Sequence, residues 1–148
     1  MEKMELASIL MGKLLNIGGM LQKTGNQLLA PYGLNQQQFS ILFSIGQEDK
    51  VKQKNMVNKL VLEKAHVSKV VKKLHKMDLI SIETSSSDKR SSWLVITNKG
   101  KDLVTECSKA ISKWNETWVN QLNEEQFFSL LNNLTIVQNS FKDKKVKD

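Results

Sequence analysis

Residues Lys64–Thr97 read KAHVSKVVKKLHKMDLISIETSSSDKRSSWLVIT, and this stretch decides the fold. Its first part places Val67, Val70, Val71 and Leu74 at i, i+3, i+4 and i+7, the apolar stripe of a helix predicted from Lys64 to Met77. At about 100° per residue the opposite face carries Ala65, Ser68, Lys69, Lys72 and Lys76. That face is small at its N-terminal end and basic along its length. The period then changes. Leu79–Thr84 alternates as a strand does, Ser85–Ser92 reads as a polar loop, and Trp93–Thr97 is rich in β-forming residues and reads as a second strand. A basic helix followed at once by a two-stranded wing is the nucleus of the predicted fold.

Upstream, Gln53–Leu60 reads as a short helix burying Met56, Val57 and Leu60, preceded by a charged turn from Gln47 to Lys52. Asn35 and Gln38 have the spacing of a capping box, opening a helix that buries Phe39, Leu42 and Phe43 and ends at Gly46. A first helix is predicted over Glu5–Leu29, weakened or bent by Gly18, Gly19 and Gly25 and stopped by Ala30-Pro31-Tyr32-Gly33. Downstream, a long helix is predicted from Thr97 or Asn98 to about Gln121, with Leu103, Cys107, Ala110, Ile111, Trp114 and Trp118 on one stripe. Asn123 and Gln126 form a second capping box ahead of a last helix carrying Phe127, Leu130, Leu131, Leu134, Val137 and Phe141. The tail beyond, to Asp148, is charged and expected to be disordered. The fold class is mainly α with a two-stranded β wing.

The chain has 148 residues and a formal net charge of +7. Lys50–Arg90 alone carries eleven basic and four acidic side chains, so the whole excess sits there and the remainder is neutral. Charge gathered on one segment suits a phosphate-binding surface, because neutralising phosphates releases their counterions. The plain alternative is a solvated lysine-rich face. A single cysteine excludes a disulfide framework, and His66 and His75 lack metal-ligand spacing with any other histidine or cysteine. Cys107, on an apolar stripe, reads as a small buried hydrophobe rather than a redox switch. No nucleophile–base pair, phosphate-cradling glycine loop or paired carboxylates stand out, so the chain is expected to be neither an enzyme nor a holder of a metal or cofactor. No apolar run approaches the ~20 residues of a membrane span, and no secretory leader is evident, so a cytoplasmic protein without a membrane partner is expected.

Four fragments, in order, resemble the winged helix-turn-helix regulators of the MarR family. Gly33-Leu-Asn-Gln-Gln-Gln-Phe39 is similar to the family's Leu-Thr-x-x-Gln-Phe at the start of the second helix. Gln53–Val57 resembles the start of the first helix-turn-helix segment, and Lys64–Lys69 that of the recognition helix. Ser87-Asp-Lys-Arg90 followed by Leu94–Gly100 resembles the wing motif and the strand and helix start after it. Two departures stand out. Asp78 occupies the place of the family's glycine between recognition helix and wing, a position needing a left-handed backbone that Asp tolerates. The first helix lacks the cysteine of the family's oxidant sensors.

The resemblance implies dimerisation helices at 1–31 and 98–142, a DNA-binding winged helix-turn-helix at 32–97, and a tail at 143–148. Ala65, His66, Ser68 and Lys69 are then expected at base edges, with Ala65 against a thymine methyl and Lys69 donating to guanine acceptors. Lys64, Lys72, Lys73, Gln53 and Lys54 are expected to hold phosphates. On the wing, Arg90, the chain's one arginine, suits a narrow minor groove, with Lys89 beside it and Asp88 aiming it. The partners implied are double-stranded DNA, a second copy of the chain and a small aromatic effector. The implied function is a homodimeric regulator, a repressor on an inverted-repeat operator. Two other classes fit less well: a winged helix that binds protein, and a nonspecific architectural DNA binder.

Overall fold

The computed structural model describes residues 1–85, 88–142 and 144; of Ser85 and residues 88–91 it describes the backbone. Two compact units result, Met1–Ile111 and Ser112–Asp148. Of the tail expected at 143–148, Asp143 and everything from residue 145 onward lie outside the described residues.

In the first unit, α1 (Lys3–Leu29) gives way to a short 3-10 turn, Ala30–Tyr32, closed by Gly33 at φ 76°. The helix runs without interruption through Gly18 and Gly19, which were expected to weaken it. Then come α2 (Gln36–Gly46), β1 (Val51–Lys52), α3 (Gln53–Leu60), α4 (Lys64–Lys76), β2 (Ile80–Ser85), β3 (Asp88–Ile96) and α5 (Asn98–Asn115), which continues past the unit's end. The capping box on α2 is formed as its spacing predicts. The Gln38 amide donates to Asn35 Oδ1 at 2.8 Å, and the Asn35 amide donates to Gln38 Oε1 at 3.0 Å. The α4 stripe is the centre of the core: Val67, Val70, Val71 and Leu74 are buried, together with Ile41, Leu42 and Ile45 of α2 and Met56 of α3. Burial of such side chains stabilises by about 1.5–3 kcal/mol each, which makes this stripe the main determinant of where α4 lies.

The expected two-stranded wing is present as the antiparallel pair β2 and β3, and three details around it were not expected. A third strand, β1, pairs antiparallel with the other edge of β3, giving a sheet in the order β1-β3-β2. The extra strand is only two residues long, within what reads as a charged turn, and too short to display alternation. The polar loop is also shorter than expected, because strand pairing extends to Ser85 opposite Asp88. Finally, Phe43 is 41% exposed, and α2 buries Ile41 and Ile45 in addition to Phe39 and Leu42.

The start of α5 is pinned to the far end of α4. Thr97 Oγ1 donates to the Asp78 carbonyl at 2.7 Å and accepts from the Gly100 amide at 3.0 Å, so one hydroxyl caps α5 and ties it to the turn. Lys99 Nζ donates to the Met77 carbonyl at 3.0 Å, satisfying a terminal carbonyl left open by the end of α4. Asp78 takes φ 60°, the left-handed conformation expected of it. Gly100 is buried, and a Cβ there would run into the Leu79 carbonyl and Ile96 Cγ1. This close approach is why the strand-to-helix junction carries glycine.

In the second unit, α6 (Glu124–Lys142) opens on the expected box: the Gln126 amide donates to Asn123 Oδ1 at 2.9 Å, and the Asn123 amide to Gln126 Oε1 at 3.0 Å. The long helix stops earlier than predicted, at Asn115, and a 3-10 turn follows at Val119–Gln121. Local side-chain bonds explain this. Thr117 Oγ1 donates to the Trp114 carbonyl at 2.7 Å and Trp118 Nε1 to Asn115 Oδ1 at 3.0 Å, which favours a turn over continued helix. Trp118 still meets Trp114, at 6.5 Å between ring centroids, and also Phe127, at 5.9 Å.

One further expectation is corrected by α1. With the turn after it, Lys3–Tyr32 is long and apolar enough, by length and composition, to cross a membrane. Its glycines and Asn16 dilute the apolar character less than the reading of short runs implied. Leu6, Ile9, Leu10, Met11, Leu15, Ile17, Met20 and Leu21 are all exposed.

Candidate nucleic-acid interface

Burial of its Val/Leu stripe fixes which face α4 turns outward. Lys64, Ala65, Lys69, Lys72 and Lys73 are exposed, and Ser68 is half-buried. Glu63 precedes them at the N-cap in extended backbone, without a side-chain capping bond. Among the described residues, none of these lysines forms an ion pair; the one salt bridge there joins Lys109 and Glu106. A row of unpaired ammonium groups on one helix face attracts an anion, and its small members, Ala65 and Ser68, allow close approach of the backbone.

Two residues assigned to this face behave differently from the expectation. His66 is half-buried and its Nε2 is fully buried without a hydrogen-bond partner, so that nitrogen points away from any external base. Lys73 leans toward α2, its Nζ 3.5 Å from Gln38 Oε1, at the outer limit of a hydrogen bond. The face that remains free is therefore Lys64, Ala65, Ser68, Lys69 and Lys72.

At the start of α3, Lys54 is exposed and Gln53 half-buried. The first amides of that helix receive no side-chain cap, which leaves donors for an anion. On the wing, the backbone places Asp88, Lys89 and Arg90 at the start of β3. Their side chains lie outside the described residues.

Sequence reading missed one feature. Lys50 Nζ and Lys52 Nζ lie 4.6 Å and 5.1 Å from the centroid of the Trp93 ring. Only the strand register, Lys52 opposite Trp93, brings these residues together, and β1 was not foreseen. Cys107 is fully buried, and burial first, then the Glu106 carboxylate, raises its pKa above the ordinary thiol value. Among the described residues, no three His, Cys, Asp or Glu side chains gather as a metal site.

A buried helix stripe, a short helix before it, a β-hairpin after it that pairs with a short strand from ahead of both helices, and a basic outward face define a winged helix-turn-helix protein. The model of the MarR family matches residues 34–92 of the chain. A relative, the HTH-type transcriptional regulator MgrA of Staphylococcus aureus, is 32% identical over 88 residues, 60% of this chain. The match spans 60% of the length of that protein as well. Among solved structures, Staphylococcus aureus MarR in complex with salicylate and kanamycin superposes with a TM-score of 0.85 at 21% identity, covering 95% of each chain. A MarR-family protein of Listeria monocytogenes in complex with a 26mer DNA gives 0.81 at 22% identity, over 90% of this chain and 89% of that one. At those identities the two structures establish the fold.

Proposed function

We propose that this protein is a homodimeric, sequence-specific DNA-binding transcriptional regulator, a repressor acting on an inverted-repeat operator. The observation that carries the reading is the outward face of α4. Its lysines are exposed and without carboxylate partners among the described residues, while the opposite stripe is locked in the core. Lys69 and Ala65 would read base edges in the major groove, while Lys64, Lys72, Gln53 and Lys54 hold phosphates. The wing, with Arg90, would enter the adjacent minor groove. The Listeria relative bound to DNA supports this use of the fold.

Exposed apolar residues on α1 and α6 support a second copy of the chain as partner, and a two-fold dimer sets half-sites about 34–36 Å apart. The salicylate complex of Staphylococcus aureus MarR supports a small aromatic effector. Such a compound releases DNA only by binding one spacing of the two heads more tightly than the other.

The test is fluorescence anisotropy with the duplex upstream of the protein's own gene and a scrambled duplex, at ~150 mM salt. A preference of about 1,000-fold or more is the expected result. Equal affinity for both would favour an architectural binder, and no binding to either a protein-binding winged helix.

A further inference from the structure

Lys50 and Lys52 have no part in the reading above, yet the fold holds them in a defined place. Side chains alternate across a strand, so Val51, Leu94 and Ile82 form one cross-sheet row facing the core. The next row is Lys52, Trp93 and Glu83, on the other face. Lys50, two residues before Lys52, falls on that same face. Both ammonium groups converge on one indole. The attraction of each cation to the ring holds them there against their mutual repulsion. Among the described residues neither is paired with a carboxylate. Glu83 shares the row but stands two strands from Lys52, roughly 9–10 Å away at ordinary strand spacing.

Two like charges gathered on a rigid platform, with no counterion among the described residues, are suited to an anion whose own charges are closely spaced. The position in the chain indicates which anion. Lys52 is the N-cap residue of α3, so the pair runs directly into the uncapped amides of that helix and into Gln53 and Lys54. We propose that Lys50 and Lys52, seated on Trp93, form a ledge that grips DNA backbone phosphates continuous with those held at the start of α3. The proposal rests on the DNA-binding reading above. The ledge contributes affinity and register and carries no sequence information, since phosphates are common to every site. Trp93 acts as a positioning residue: it orders two flexible side chains before DNA arrives, which lowers the cost of ordering them on binding.

The experiment measures affinity of the full chain for a fluorescein-labelled duplex of mixed sequence, about 30 base pairs long, from ~50 to ~300 mM KCl. Lys50→Gln/Lys52→Gln removes both charges and keeps both stems, and circular dichroism verifies its fold. The slope of log K against log[salt] is expected to become shallower by about 1.8, or 0.9 per lost phosphate contact. The proportional loss should be the same on the gene's upstream duplex. Lys109→Gln, which removes an exposed lysine already paired with Glu106, should leave the slope at its wild-type value. Trp93→Leu, which keeps the charges without their platform, should weaken binding several-fold. If the wild type binds with a steep slope and the double variant keeps that slope, the ledge is overturned while the DNA-binding reading stands; a ledge serving an acidic protein would give this result. If the wild type binds neither duplex, both fall.

Discussion

Val61 closes α3 with φ 53° and ψ 48° and is 90% exposed. A β-branched residue in the left-handed region is strained, by about 1–2 kcal/mol, and no burial of its side chain offsets that. Val61→Gly is therefore expected to stabilise the protein by about 0.5–1 kcal/mol, the gain reduced by the greater entropy of glycine in the unfolded chain. Urea unfolding should show a higher midpoint at unchanged m-value, and a lower midpoint would show that Val61 carries a packing role. Cys107 gives a pH-dependent prediction. Its thiol is buried and its pKa raised, so the folded state favours the neutral form. Its contribution to stability is complete below the ordinary thiol value of about 8.5 and declines as pH rises from there toward the folded value. The stability difference between wild type and Cys107→Ala should thus shrink between about pH 8 and pH 10. A constant difference over that range would show that the thiol titrates alike in both states.

At the scale of elements, α4, the proposed recognition helix, invites the sharpest test. Lys69→Ala should lower affinity for the operator by about 1–3 kcal/mol while affecting a scrambled duplex much less, as loss of a base contact does. An equal loss on both duplexes, measured by anisotropy at one salt concentration, would reassign Lys69 to the phosphates. That α4 exists and which face it buries were legible from the spacing of Val67, Val70, Val71 and Leu74 alone, because a 3.6-residue period is hard to mistake over four positions. Both side-chain capping boxes, at Asn35 and Asn123, were equally plain. What escaped were features that depend on tertiary register. A two-residue β1 has no period to read, and the pairing of Lys52 with Trp93 exists only once β1 lies beside β3. His66 shows the same limit: residue type places it on the end of α4 expected to face DNA, whereas the packing around it buries Nε2. The left-handed turn at Asp78 was visible through the resemblance, but nothing in a valine announces the one at Val61.

At the scale of the whole molecule, the apolar side chains that the folded chain leaves in solvent call for a partner. Leu15 is 77% exposed and Met20 63% on α1, and Phe128 is 71% and Leu131 59% exposed on α6. Exposed apolar patches of this kind mark a binding surface. The proposed dimer would cover them, whereas α1 taken alone also has the length and composition of a membrane span. Lys13, in the middle of α1, weighs against the membrane, since a lysine at a bilayer centre costs about 2.5–3.5 kcal/mol on insertion scales. The expected solution mass is about 34 kDa by light scattering after gel filtration, twice the 16.9 kDa of one chain, with no sedimentation on phosphatidylcholine vesicles. Leu15→Glu and Leu131→Glu, made separately, place a charge on each apolar surface at a site already open to water in the single chain. Neither should unfold a protomer, but two-fold symmetry brings each substitution into a dimer twice. Burying each leucine is worth about 1.5–3 kcal/mol, so losing two should weaken association by at least about 100-fold. A wild-type mass of one chain would overturn the dimer, and capture by the vesicles would assign α1 to the bilayer instead.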